Sequence, residues 1–401
     1  MTPRASNDPP GGDAGAGTSL AARLRARIRA AGALTLRDWM SAALYDEREG
    51  YYQRPDAERW GRAGDYRTAP ERSELFAATF ARHFIKLYEE LNRPRVFHLL
   101  EAGGGAGRFA HGVLRTLRRD APRVYESARY VFDETGADSR RRAAELLAPF
   151  AERIEFRRLP ETDDRLGHAV IFSNELFDAF PVHRVTVRDG RLLESYVGVQ
   201  ADGGFVFVED EPSTPRLAEH FERLGVSLEE GQVAEVNLEA ADWLARVATA
   251  VSNAFIITVD YGDEAPALYG AQHRRGGTLR AFRRHELVED VLGDPGGQDL
   301  TTTVNWTQLR AEGERAGLRT LSLERLDGFL LRAGLVEQLE LECARAASGA
   351  EVARLRLDAR EMILPGGMAS HFQVLIQRKS SGRKPDRQGG LISSVTCRRV
   401  K

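Results

Sequence analysis

One stretch limits the fold of this chain more than any other: "VFHLLEAGGGAGRFAHGVL", Val96–Leu114. An apolar run ends in an acid, four glycines follow within five positions, and a helical pattern begins. Such a run reads as a strand, a glycine loop and a helix, the arrangement that lets a backbone approach a ligand closely. The alternation continues downstream. "RYVFDE" and "RIEFRR" are strand-like around a helix at Ser139–Leu147. "HAVIFSNELFDAF" is a strand running into a turn, and a helix at Ala240–Val251 leads to the strand "AFIITVDYG". Alternating strands and helices predict a Rossmann-like α/β sheet with helices on both faces.

About 90 residues of helix and loop precede that sheet. "LAARLRARIRAAG" places Leu20, Leu24 and Ile28 four apart, "LTLRDWMSAAL" has Thr35 as a cap, and "ERSELFAATFARHFIKLYEEL" is amphipathic. The chain divides into a disordered leader (1–18), a helical lid region (19–92), a main domain (93–378) and a disordered basic tail (379–401). Within the main domain, "VHRVTVRDGRLLESYVGVQADGGFVFVED" holds three strand-like runs joined at two Asp-Gly pairs, which predicts an antiparallel β insertion at about 182–232. Tyr261–Asn305 reads as a long glycine-rich loop, and its length points to function.

The glycine loop fits two ligand patterns. From Gly105 it reads G-x-G-x-x-A, a dinucleotide form; from Glu101 it reads E-x-G-x-G-x-G through Gly103, Gly105 and Gly107. A carboxylate repels a pyrophosphate, whereas S-adenosylmethionine carries an ammonium and a sulfonium that Glu101 suits. Asp133 and Glu134, at the end of the second strand, are candidates to bind a ribose diol, and both ligands need one.

Other polar residues collect at strand ends. Asn174, Glu175 and Asp178 follow an apolar strand, on the edge where open α/β sheets bind ligands; the alternative for them is a helix N-cap. Asp65, Tyr66, Thr68 and Glu71 form a hinge in which Thr68 and Glu71 have capping-box spacing, while Asp65 and Tyr66 suit a lid. Arg280, His285, Asp294, Gln298, Asp299 and Asn305 are candidate pocket residues, and Asp260 and Tyr261 end another strand.

Charge and cysteine count remove other classes. A formal net charge of −2 offers no basic face for nucleic acid, and two distant cysteines make neither a disulfide framework nor a cysteine metal site, so no metal is expected. No apolar run is long enough to span a bilayer, and the N-terminus has no secretory h-region, so the expected location is cytoplasmic.

The chain resembles the MidA family of class I methyltransferases. The resemblance runs from about Gly32 to Arg378 and is carried by "WMSAALYDEREGYY", "GDYRTAPERSELF", "EAGGGAGRFAHGVL", "IFSNELFDAFPVHRV", "ITVDYG", "GGTLRAFRRHELVEDVLGDPGGQDLTTTVNW", "LDGFLLRAGL" and "LPGGMASHFQVL". It implies a class I methyltransferase sheet, S-adenosyl-L-methionine as cofactor and transfer to a protein arginine. A respiratory complex I subunit is then the expected partner, and the insertion offers an edge for a homodimer. On this reading Glu101, Gly103, Gly105, Gly107, Glu134 and Asn174 bind cofactor, and Glu175, Asp178 and Asp65 serve the chemistry. The rivals are a non-catalytic assembly factor that binds a respiratory-complex subunit and a nicotinamide-dependent oxidoreductase. The chain departs from the family pattern at Glu74, Ala77, Thr135–Ala137, Asn305 and Asp327, which bears on substrate choice more than on cofactor.

Overall fold

The structure, a computed structural model, describes residues 19–54, 73–158, 165–284, 286–364 and 366–380. The leader 1–18, the hinge residues Asp65, Tyr66, Thr68 and Glu71, His285 and the tail beyond Ser380 lie outside the described residues.

The main sheet has seven strands, numbered here in chain order: β1 Phe97–Ala102, β2 Ala128–Asp133, β3 Ile154–Phe156, β4 Leu166–Asn174, β5 Val251–Asp260, β6 Arg319–Arg325 and β7 Gln373–Lys379. Their order across the sheet is β6-β7-β5-β4-β1-β2-β3. The five strands from β3 to β5 in this order pair in parallel, and β7 is antiparallel to both β5 and β6. The chain turns back on its path between β1 and β4. A crevice opens there at the carboxyl ends of the strands, which is where ligands bind in sheets of this kind.

Burial on both faces explains the near-continuous apolar strands. Leu99, Tyr130, Phe132, Val170 and Phe172 face one helical layer; Leu100, Val131, Ile171 and Ile256 face the other. The first layer contains α3 (Glu74–Glu90) and α4 (Arg108–Asp120), with α1 (Leu20–Ala31) and α2 (Leu36–Tyr45) preceding them in the chain. The rings of Phe109 on α4 and Phe172 on β4 stack at 4.2 Å, which fixes the helix behind the glycine loop to the strand at the crevice. Helices Leu238–Ala250 and Trp306–Arg315 cover the opposite face.

Several expectations need revision. The described helices of region 19–92 do not pack as one unit. In α3, Leu75, Phe76, Phe80 and Phe84 join the main core, whereas α1 and α2 cover the insertion through Leu24, Trp39 and Leu44. Ser73 caps α3, accepting from the Leu75 amide at 3.1 Å, and Thr35 caps α2 as its position predicts. The insertion runs past residue 232: a fourth strand, Val233–Val236, pairs with His183–Thr186, and Leu34–Thr35 adds to the same sheet from the N-terminal region. Runs this short show no period until a partner supplies the pairing. Tyr261–Asn305 is not a plain loop but holds a helix, Ala265–Gly270, and an antiparallel sheet of Arg280–Arg283, Glu286–Val288 and Asp299–Thr301. Lys379 closes β7 opposite Ala254 rather than opening a tail. Among the described residues no helix is long and apolar enough to cross a membrane.

Candidate active site

A cleft of about 1300 Å³ lies over the carboxyl ends of β1, β2, β4 and β5. The loop after β1 forms its floor. Gly103, Gly105 and Gly107 have φ of 71°, 55° and 82°, a region side chains resist, and a Cβ on Gly104 would lie 2.4 Å from the Phe132 ring. The glycines are therefore required by backbone geometry. The Gly103 amide donates to the Asp133 carbonyl at 2.8 Å, tying the loop to the end of β2.

Two acids frame this loop. Glu134 accepts from the Gly105 amide at 2.8 Å and from the Gly136 amide at 2.6 Å, so one carboxylate joins the loops after β1 and β2. A carboxylate has about four acceptor sites, which leaves capacity for a diol beside those amides. Glu101 is 5% exposed and lines the cleft, and Tyr130 donates to it at 2.7 Å. Burial pushes its pKa up to about 8, the Tyr130 bond pulls it back, and the Glu134 charge pushes it further up. An ammonium placed at Glu101 would find a carboxyl lacking a counter-charge. The donor set thus fits S-adenosylmethionine: an acid for the ammonium, a bare backbone for the chain and an acid for the ribose.

The turn after β4 forms the adjoining wall. No helix begins there, so the N-cap alternative for Asn174, Glu175 and Asp178 fails; residues 175–180 form a bend and turn. Glu175 adopts φ of 52°, strained for a non-glycine residue. Its amide donates to the Val259 carbonyl at 2.9 Å, and Asn174 Nδ2 donates to its carboxylate at 2.9 Å. Asp178 is buried and accepts from the Tyr261 hydroxyl at 2.6 Å. Burial raises its pKa to about 6, against the Tyr261 bond and the Arg280 charge. Asn174 Oδ1 and Asp178 Oδ1 are buried cleft atoms with no hydrogen-bond partner among the described residues.

The glycine-rich segment divides by role. Arg280, Asp299, Thr301 and Thr303 line the cleft. Asn305, Gln298 and Asp294 do not. Asn305 caps helix Trp306–Arg315 and donates to Tyr269, Gln298 holds the Asp290 and Val291 carbonyls, and Asp294 lies at the surface near Arg283. Asp260 lies beneath the wall, fully buried. Sequence reasoning missed Tyr45, Tyr52 and Gln53 as cleft residues. Tyr45 donates to the Ala179 carbonyl, Tyr52 to Asp299, and Gln53 to the Thr135 carbonyl. The "GYY" run is visible in the sequence, but nothing local says that it reaches the sheet edge.

Strand order, glycine loop and paired acids together define a class I methyltransferase that uses S-adenosylmethionine. The chain belongs to the family described as "Putative S-adenosyl-L-methionine-dependent methyltransferase", whose sequence model matches residues 79–323. A Burkholderia thailandensis protein described as a "likely methyl transferase", solved with S-adenosyl-homocysteine bound, superimposes with a TM-score of 0.77 at 28% identity, covering 89% of this chain and 91% of that one. The Drosophila melanogaster protein named "Protein arginine methyltransferase NDUFAF7 homolog, mitochondrial" is 27% identical over 325 residues, 75% of this chain and 71% of its own. The Mus musculus NDUFAF7 protein is 26% identical over 331 residues, with the same two coverages. These matches remove the nicotinamide reading. They also overturn the cytoplasmic expectation, since both animal relatives are named mitochondrial.

Proposed function

We propose that this methyltransferase modifies an arginine side chain of a protein. The observation that carries the reading is the pair of buried, unpartnered acceptors, Asn174 Oδ1 and Asp178 Oδ1, in the cleft beside the glycine loop. Acceptors without donors suit a donor-only group, and a guanidinium has five N–H groups and no acceptor. Charge supports the same choice: the Tyr45 hydroxyl in this wall has its pKa raised first by burial and then by the charges of Asp299, Asp178 and Glu134. The relatives named protein arginine methyltransferases support it further.

The cofactor supplies a methyl group on a sulfonium. The protein positions the acceptor nitrogen in line with it and excludes water. A guanidinium nitrogen must shed a proton as its new N–C bond forms and the S–C bond breaks. Asp178, raised by burial but held toward its charged form by the Tyr261 bond and the Arg280 cation, accepts that proton before releasing it to solvent. Glu175 holds a second N–H group, and Asn174 fixes the Glu175 carboxylate. Asp65, the third proposed acid, lies outside the described residues.

The family resemblance makes a respiratory complex I subunit the proposed acceptor protein. A homodimer would pair through the insertion's edge strand, Phe205–Asp210. The test is tritiated methyl transfer into candidate proteins, with methylarginine identified by mass spectrometry. Glu175→Gln and Asp178→Asn are expected to bind S-adenosylhomocysteine as the native protein does and to lose turnover. Label on lysine or a chain terminus would sink the arginine assignment, and no transfer with native binding would favour a non-catalytic assembly role.

A further inference from the structure

Asp260, the last residue of β5, does not line the cleft, yet it is fully buried and both its oxygens are engaged. Oδ2 accepts from the Phe177 amide at 3.1 Å and Oδ1 from the Tyr261 amide at 2.9 Å. An asparagine cannot replace it, because its single oxygen takes one amide and its NH2 confronts the other. Both residues lead to the proposed proton acceptor. Phe177 immediately precedes Asp178, and Tyr261 carries the hydroxyl that donates to Asp178 Oδ2 at 2.6 Å. The Thr302 amide pins the Asp178 carbonyl at 2.9 Å from a third side.

Resting on the transfer described above, we propose that Asp260 is a positioning residue: it joins the Phe177 and Tyr261 backbones so that the Tyr261 hydroxyl orients Asp178 and leaves Asp178 Oδ1 for the acceptor nitrogen. It acts through two other residues and never meets substrate. The Tyr261 hydroxyl and the Arg280 cation face Asp178 and favour its charged form; the acid Asp260 lies behind it, with Glu175 beside Asp260, and the Tyr45 hydroxyl feels the Asp178 charge from α2. Two roles for Asp260 therefore predict opposite effects. As a mere neighbouring charge, its removal makes Asp178 easier to ionise. As the brace of the Tyr261 bond, its removal makes Asp178 harder to ionise, because the donor is lost.

The test is a double-mutant cycle of Asp260→Asn and Tyr261→Phe in the full chain. Each single variant is expected to bind S-adenosylhomocysteine within about twofold of native. Each should lower kcat by about a hundredfold, the scale of a misplaced catalytic group, with little change in KM. Both should move the acid limb of the kcat profile to higher pH, and the double variant should be no worse than either single. An unchanged limb, a limb moved to lower pH, or effects that multiply would overturn the proposal. If Asp260→Asn fails to bind S-adenosylhomocysteine, Asp260→Ser, whose hydroxyl can still accept one amide, replaces it in the cycle under the same criteria. The Asp178 shift is also read without turnover, from carboxyl-carbon NMR titration of labelled aspartate. Failure to find an arginine acceptor would therefore sink the proposed reaction and leave this test standing.

Discussion

With the cofactor ammonium placed at Glu101, cofactor binding is expected to release a proton. Its carboxyl is buried, with a pKa of about 8, so below that pH the ligand-free protein holds it largely protonated. An ammonium placed beside it favours the carboxylate, and the proton must leave. If the bound state ionises fully, affinity for S-adenosylhomocysteine falls about tenfold between its high-pH plateau and pH 7, and about a hundredfold by pH 6. Calorimetry in buffers of different ionisation enthalpy should register nearly one proton released per ligand at pH 7. Glu101→Gln keeps an acceptor for Tyr130, removes the charge and should bind weakly and flatly across that range. The same residue shapes stability. A carboxyl raised from 4.5 unfolded to about 8 folded binds more protons in the native state, so native stability falls as pH rises through that window. The full penalty above pH 8 is of order 5 kcal/mol, and Glu101→Gln should recover most of it in the ligand-free protein, read as a higher Tm at pH 8.5. Native affinity that stays flat from pH 6 to 8, or a Gln variant that still releases a proton, would refute the reasoning.

Further outcomes follow from single contacts. Gly104→Ala sets a Cβ 2.4 Å from Phe132 and should abolish S-adenosylhomocysteine binding or shift it at least tenfold, by calorimetry. Phe172→Ala removes the ring stacked on Phe109 and should cost about 3–5 kcal/mol in denaturant unfolding. Glu194 has no exposed surface. Against burial, which raises its pKa, His183 and the Ser213 amide hold it below its ordinary value. Its stabilisation is therefore complete above about pH 4.5 and is lost as pH falls through the lower folded value. Glu194→Gln should lower stability by about 1.5–3 kcal/mol at pH 7 and by less at pH 4, in thermal melts.

The parts of the fold that local chemistry dictates were legible in the sequence. A Gly105 at φ of 55°, a Thr35 that accepts from the Asp38 amide and the unbroken apolar strands of the sheet each answer to neighbours a few residues away. The C-terminal pair β6 and β7 was not assigned, because β7 pairs with β5 across more than a hundred residues and only that pairing makes "QVLIQRK" a core strand. The same distance hid the cleft roles of Tyr45 and Tyr52, whose partners Ala179 and Asp299 lie 134 and 247 residues away. Polar residues show the limit most clearly. Asn174 and Asn305 are the same residue type, each ending a strand, and both were candidate site residues. Asn305 gives its Oδ1 to the Gln308 amide as a helix cap, and its Nδ2 to Tyr269. The Asn174 Oδ1 has no partner among the described residues. A cap and a proposed substrate-binding residue are thus written with one letter, and what separates them is whether the fold satisfies the oxygen. Spacing brings a residue to the sheet edge, but it takes the packed neighbours to leave that oxygen for a substrate.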